Sequence, residues 1–411
     1  MFSKKIIFLT YSLCTGGAER RLLSIANGFA ERGAQVKIVL LDAPLVSFPV
    51  HSDIELVFLD SENRQWDLRN NTATPKIIPC PITPNLNFLE KTRLKITQLF
   101  SKSSFALEEM RLFLRQRYTL RIAHFLQQHP DALVLSFMSF CNVSTMMALQ
   151  KLPNQGFFVE CTSPFAEFTP EHPMNTLKRR YYPRAQGAFF QTEENRDFYD
   201  YLDIQKWVIA NPLQGHYPDR HEGRRRKVIA SFARLDKTKN FPLMLESFAL
   251  LAADFPDYSL EIYGEGTLKK SLQAQAKELG LNSRVVFHPF DTALHQKIKD
   301  CALYVSSSDR EGMSNSMLEA LAIGLPCVCT DCAGGGARAI IKPYENGLLV
   351  PMRDKQALAA AMREIIENPN LAETLSKNAV KIRQDLALDK IISLWWQALW
   401  PEKDTQTSKL S

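Results

Sequence analysis

The stretch DREGMSNSMLEALAIGLPCV, residues 309 to 328, carries two carboxylates, Glu311 and Glu319, eight positions apart. Glu311 falls in a Ser/Gly-rich loop. Glu319 falls about a turn into a helix that is otherwise rich in Ala, Leu and Met and that stops at Gly324. The amino end of that helix, around Gly312, Met313, Ser314 and Asn315, offers free N–H groups and the positive end of a dipole, a natural seat for phosphate oxygens. Glu311 stands just before this seat and would meet whatever the phosphate carries. Glu319, among apolar neighbours, needs hydrogen-bond donors. The vicinal hydroxyls of a ribose would supply them, and so would an ordinary ion pair. Upstream, ARLDKTKN sets Arg234 and Lys239 five apart, just after a strand. Arg offers a fork and Lys a point charge, so the two either clamp a diphosphate or sit in a solvated basic loop, with Lys237 the more exposed neighbour. Read end to end, the spacing fits a ligand made of a sugar, a diphosphate and a ribose.

Such groups need a frame that brings them to one edge. KKIIFLT, AERRLLSIANGFAERG and QVKIVLL, within the first forty residues, read as strand, helix and strand. ALVLSF (132–137), GFFVEC (156–161) and GAFFQT (187–192) are further strand candidates. After NPLQGHYPDRHEGRRR (211–226), rich in Pro, Gly and charge, the alternation restarts. Strands are expected at 227–233, 259–266, 284–290, 301–308, 325–330 and 347–351, with helices at 241–256 and 268–281. Strands alternating with helices imply parallel sheets covered on both faces. Two such α/β halves leave a cleft between them, and ligands of such sheets bind beyond the carboxyl ends of the strands. The expected division is a first domain at 1–212 with an irregular insertion at about 45–130, a linker at 213–226, a second domain at 227–385, and a closing helix and tail at 386–411.

The gross composition agrees with this picture. A chain of 411 residues is too long for one ordinary core. The net charge of +6 suits an anionic small ligand or membrane surface and is too small to argue for nucleic acid. Cys327, Cys329 and Cys332 lie close together, but no second cluster has zinc spacing, so buried or free thiols are expected. MFSKKIIFLTYSLC is too short for a signal peptide, lacks a small-residue cleavage site and runs into Gly16-Gly17, so a first buried strand is expected there. No transmembrane segment is expected.

Arg234 and Lys239, the two glutamates with seven residues between them, LEALAIGLPCVCTD and ENGLLVP together resemble the retaining glycosyltransferases of family 4, which have the GT-B fold of two Rossmann-like domains. CTGGAER (14–20), FFQTEEN (189–195) and ANPL (210–213) resemble that family too. The resemblance covers most of the chain and is most specific between 228 and 351. It implies that Arg234 and Lys239 hold the donor's phosphates and stabilise the leaving diphosphate. Glu311 would bind the donor sugar's hydroxyls and Glu319 the ribose. Gly16 and Gly17 would let bare backbone approach phosphate and sugar. Gly264 and Gly266, with His288, Pro289 and Phe290, would line the nucleoside, although a lone histidine is more often structural. UDP is the nucleotide implied by the family's habits. Neither a cofactor nor a metal is implied: no Asp-x-Asp lies at these positions, and the two cations would take the metal's place. The departing β-phosphate would take the acceptor's proton, so no protein base is nominated.

Two departures bear on specificity. Ala337 and Ala339 stand where the family often has Pro and Glu, in a loop that shapes the donor pocket. SFMSFCNVST lacks the histidine that some members carry near the acceptor. The basic segment 88–128, with eight Lys/Arg against three Glu, and LKRRYYPR (177–184) either meet a phosphorylated lipid or anionic leaflet or are solvated helix faces. DKIISLWWQALWPE (389–402) reads as a closing helix packed on the core in preference to a membrane anchor. The expected function is hexosyl or N-acetylhexosaminyl transfer to a glycan or lipid-linked acceptor in surface polysaccharide or lipopolysaccharide synthesis. The expected location is the cytoplasm, with the protein peripheral on the inner face of the cytoplasmic membrane. A GT-B sugar-nucleotide epimerase or a non-catalytic sugar-nucleotide-binding scaffold are the alternatives, and a phosphorylase would need a pyridoxal-bearing lysine and a longer chain.

Overall fold

A computed structural model of the chain describes residues 4–13, 16–41, 45–59, 76–78, 116–164 and 173–401. The Pro/Asn/Thr stretch after residue 60 lies outside them, apart from 76–78. So does the basic segment up to residue 115, of which only the closing helix Gln116–Gln127 is described.

Two parallel sheets form the frame. The first has eight strands: β1 (Lys5–Thr10), β2 (Gln35–Leu40), β3 (Glu55–Phe58), β4 (Lys76–Ile78), β5 (Leu133–Phe137), β6 (Gly156–Val159), β7 (Gly187–Phe190) and β8 (Gln205–Val208). Their order is β4-β3-β2-β1-β5-β6-β7-β8, so the chain reverses direction across the sheet between β1 and β5. The second sheet holds β9 (Arg226–Phe232), β10 (Ser259–Tyr263), β11 (Val285–His288), β12 (Cys301–Ser306), β13 (Cys327–Asp331) and β14 (Leu348–Pro351). Its order is β11-β10-β9-β12-β13-β14, with the reversal between β9 and β12. A crevice opens beyond the strand carboxyl ends at each reversal. The runs that form these strands are apolar without alternation because both sheet faces are covered: Ile6 to Leu9 and Cys301 to Val305 are all buried.

The last helix, Leu388–Leu399, returns to the first domain and packs on the helix Gly17–Glu31. The fit is close. A Cβ on Gly28 would lie 2.8 Å from Ile392 Cγ1. Phe29 meets Trp396 and Trp400 with centroids at 5.5 and 5.4 Å, and Lys4 Nζ lies 4.1 Å over the Trp396 ring. Trp395 is fully buried and stacks on Phe189 at 4.1 Å. These three indoles therefore fill a core seam. Among the described residues no helix is long and apolar enough to cross a membrane.

Candidate active site

The groups singled out in the second domain lie in loops that follow strands, except His288, which ends a strand, and Asn315 and Glu319, which belong to a helix. β9 ends at Phe232; Arg234 follows, and Lys239 closes a short 3-10 turn capped by Asp236. β10 ends at Tyr263, just before Gly264 and Gly266. β11 ends at His288, just before Pro289 and Phe290. β12 runs into the loop that carries Glu311, and the helix Asn315–Ala322 starts where Ser314 accepts the Met317 N–H. Sheet topology thus brings the spaced residues of the sequence to one edge.

Gly264 has φ +152°, and a side chain there would overlap the Ala233 carbonyl oxygen. Gly266 would likewise overlap Leu235, and backbone bonds from Leu235 N to Glu265 O (2.9 Å) and Leu268 N to Leu235 O (3.1 Å) tie the two loops. The bare backbone of these glycines therefore seats the loop that bears Arg234.

The charges meet in two clusters. Lys239 Nζ donates to both oxygens of Glu311, at 2.7 and 2.5 Å, with both side chains mostly buried. Arg234 is 78% exposed and pairs with Asp236 at 3.0 Å. Its charge also reaches Glu19 of the first domain. Burial raises the Glu19 carboxyl, while its backbone bond and the charge of Arg234 pull it down. Arg234 lies in the loop at the carboxyl end of β9. The two cations do not share one partner: Lys239 is locked to Glu311, and Arg234 remains open to solvent.

Glu319 forms the second cluster. Its Oε1 accepts from Arg20 Nη1 at 2.6 Å, and its Oε2 lies 3.0 Å from His295 Nε2. Burial raises this carboxyl, but the His295 contact and the Arg20 charge outweigh it, so its pKa lies below the ordinary carboxylate value. The donors that Glu319 requires therefore come from the protein, from both domains at once. His288, assigned to the nucleoside pocket, stacks on Tyr263 at 4.4 Å with an interplanar angle of 17°. Phe290 is 75% exposed, an unusual position for a ring of that size.

The first domain closes over this edge. Asn211, of ANPL, donates from Nδ2 to Asn315 Oδ1 at 2.9 Å, and its backbone N–H meets Met313 Sδ at 3.3 Å. Met313 and Ser314 are consequently buried. A Cβ on Gly17 would lie 3.3 Å from Asn315 Nδ2, and Gly16 caps the helix that begins at Gly17. A side chain on Gly312 would overlap Gln191 Oε1. Thr192 Oγ1 donates to Gly334 O at 2.7 Å, while Glu194 accepts from Gly334 N at 3.1 Å and from Arg338 at 3.0 Å. Arg20, Gln191, Glu194, Asn211 and His295 were not among the sequence candidates. CTGGAER, FFQTEEN and ANPL held four of them, and His295 had no such signal. Behind the first-domain wall, Glu160, just past β6, accepts from Tyr182 and from Ser139 (3.2 Å) and lies 3.3 Å from Lys178 Nζ, all fully buried.

Cys327, Cys329 and Cys332 are buried, and burial pushes the Cys332 thiol up to about 12. Among the described residues no group of three or more His, Cys, Asp or Glu could hold a metal ion.

Residues 218–382 match the family model for glycosyl transferases group 1. A Campylobacter jejuni N-acetylgalactosamine-N,N'-diacetylbacillosaminyl-diphospho-undecaprenol 4-alpha-N-acetylgalactosaminyltransferase is 36% identical over 165 residues, 40% of this chain and 44% of that one, so the chain spans less than half of that relative's length. A second C. jejuni protein, a GalNAc-alpha-(1->4)-GalNAc-alpha-(1->3)-diNAcBac-PP-undecaprenol alpha-1,4-N-acetyl-D-galactosaminyltransferase, is 23% identical over 397 residues, 95% of this chain and 97% of that one. A mutant of S. aureus TarM, in complex with fondaparinux, alpha-GlcNAc-glycerol and UDP, superposes with a TM-score of 0.69 at 14% identity, covering 96% of this chain and 99% of that one. The second domain thus matches the glycosyl transferases group 1 model, and the two sheets together have the GT-B fold of these structural neighbours.

Proposed function

We propose that the chain is a retaining glycosyltransferase that moves a hexosyl or N-acetylhexosaminyl group from a UDP-linked donor to a glycan acceptor carried on a lipid, in surface polysaccharide or lipopolysaccharide synthesis. The observation that carries this reading is the convergence of Lys239, Glu311 and the helix start at Asn315 on one cleft edge, opposite Gly17. Cleavage of the anomeric C–O bond puts negative charge on the diphosphate and positive charge on the sugar. Lys239, Arg234 and the helix start act where the negative charge grows. In this reading side chains supply the whole of that charge, so no metal is needed. Glu311 holds Lys239 in place and accepts from sugar hydroxyls; Glu319 receives the ribose; the exposed Phe290 ring offers the base a stacking face.

The C. jejuni relatives, whose substrates are undecaprenol-linked glycans, support the acceptor class, and the UDP bound to TarM supports the nucleotide. A peripheral position on an anionic leaflet draws on Arg179, Arg180 and Arg184. All three are exposed and lie over tyrosine rings, and among the described residues none is in an ion pair. Each such residue contributes roughly 1 kcal/mol near an anionic surface.

A panel of nucleotide sugars, scored by thermal shift and by slow donor hydrolysis, tests the reading. A donor that stabilises the wild type but not Arg234→Ala is the expected result. No stabilisation by any donor would favour the scaffold alternative, and donor turnover to an epimer without acceptor would favour the epimerase. Absence of co-sedimentation with anionic liposomes at low salt would remove the membrane role alone.

A further inference from the structure

Arg20 and Glu319 are 299 positions apart and belong to different domains, yet they make one of the shortest ion pairs across the cleft. Arg20 is held from behind. Its Nε donates to Gln214 Oε1 at 2.7 Å, and Gln214 Nε2 returns to the Arg20 carbonyl at 3.2 Å and to Ser24 Oγ. On the other side His295 takes the second Glu319 oxygen. The cavity beside the carboxylate, lined by Arg20, Asn211, Gln214, Tyr217, Asn315 and Glu319, has a volume of ≈ 10 Å³. That is room for about one water. A ribose does not fit.

We propose that Arg20 is a positioning residue that gates the ribose seat: its guanidinium and the ribose diol compete for the Glu319 carboxylate, so donor entry requires the Arg20–Glu319 contact to open. This rests on the nucleotide-sugar reading above. Two features of the geometry support it. The guanidinium takes Glu319 Oε1 and the His295 ring stands at Oε2, so a diol reaches the carboxylate only in place of Arg20. The Tyr217 hydroxyl lies in the same cavity, where the Glu319 carboxylate and the Gln214 backbone both act on it, so it lines the space that the guanidinium would vacate. The first domain thereby senses occupancy of the second through a single side chain, which links donor entry to domain separation at this edge.

Titration calorimetry with UDP separates the outcomes. Arg20→Gln, which keeps a polar side chain but removes the charge, is expected to bind UDP about three- to tenfold more tightly than the wild type, given the modest worth of a partly exposed pair. Arg20→Lys restores the cation and is expected to bring the affinity back towards the wild-type value. In a Glu319→Gln background, Arg20→Gln is expected to change nothing, because the competition has lost its object. A folded Arg20→Gln protein that binds UDP equally or more weakly overturns the gating while leaving the nucleotide reading intact. Failure of every one of these proteins, wild type included, to bind UDP overturns the nucleotide reading and the gating with it.

Discussion

The two banks of the cleft are built differently. On the second-domain bank the groups facing the gap are charged, and each follows a strand at short range: Arg234 and Lys239 after β9, Glu311 and Glu319 after β12. On the first-domain bank they are chiefly glycine backbone, amides and hydroxyls, namely Gly17, Gln191, Thr192 and Asn211, with Arg20 and Glu194 reaching across. Two further charged groups of that domain, Glu160 and Lys178, are buried and paired with one another. The difference suggests a division of labour. The second bank holds a ligand of fixed, high charge, and the first adapts to it through contacts that cost little to break.

Four substitutions sharpen or break this comparison. The largest effect is expected from Lys178→Met, which takes the cation away from the buried Glu160 carboxylate in the first-domain core. Breaking a buried pair costs about 3–5 kcal/mol, so thermal or urea unfolding should register a loss of that order. A change below about 1 kcal/mol would show that the inner network is not a load on the fold. Next comes Lys239→Ala, which removes charge from the second bank: kcat should fall about 10²–10³-fold, with the unfolding midpoint moving far less than in Lys178→Met. Equal loss of stability in the two variants would erase the distinction between a working and a structural lysine.

Gly28→Ala probes the seam that joins the closing helix to the first domain. Alanine gains about 0.5–1 kcal/mol in helix propensity, but its Cβ meets the buried Ile392, and overpacking costs about 1–3 kcal/mol. Net destabilisation in denaturant unfolding is the expected sign; a gain would mean that the seam yields freely. The smallest effect belongs to Arg338→Ala, which cuts an exposed cross-cleft pair with Glu194. Its expected cost is below about 1 kcal/mol and should shrink further at high salt.

The same contrast explains what could be read from the chain in advance. Every strand of the second sheet was visible, because runs such as KVIASFA and CALYVSSS are apolar throughout and separated by helical spacing. In the first domain β3, β4 and β8 were not. QKWV of β8 is a half-exposed edge strand whose residues show no buried run. ELVF of β3 is only four residues long. The pairing of Lys239 with Glu311 spans two loops and joins residues that were already candidates. The Arg20–Glu319–His295 cluster was not legible: a helix face that aims an arginine into another domain leaves no local period or spacing behind. The glutamate's need for donors was readable, and their source was not.

The central claim is that Arg234, Lys239 and the helix start at Asn315 grip a pyrophosphate. Calorimetric comparison of UDP with uridine on the wild type and on Lys239→Ala tests it most directly. The account predicts that UDP binds the wild type far more tightly than uridine does and that most of this preference vanishes in the variant. Equal affinity for the two ligands on the wild type, or a preference that survives the loss of the lysine, would contradict it.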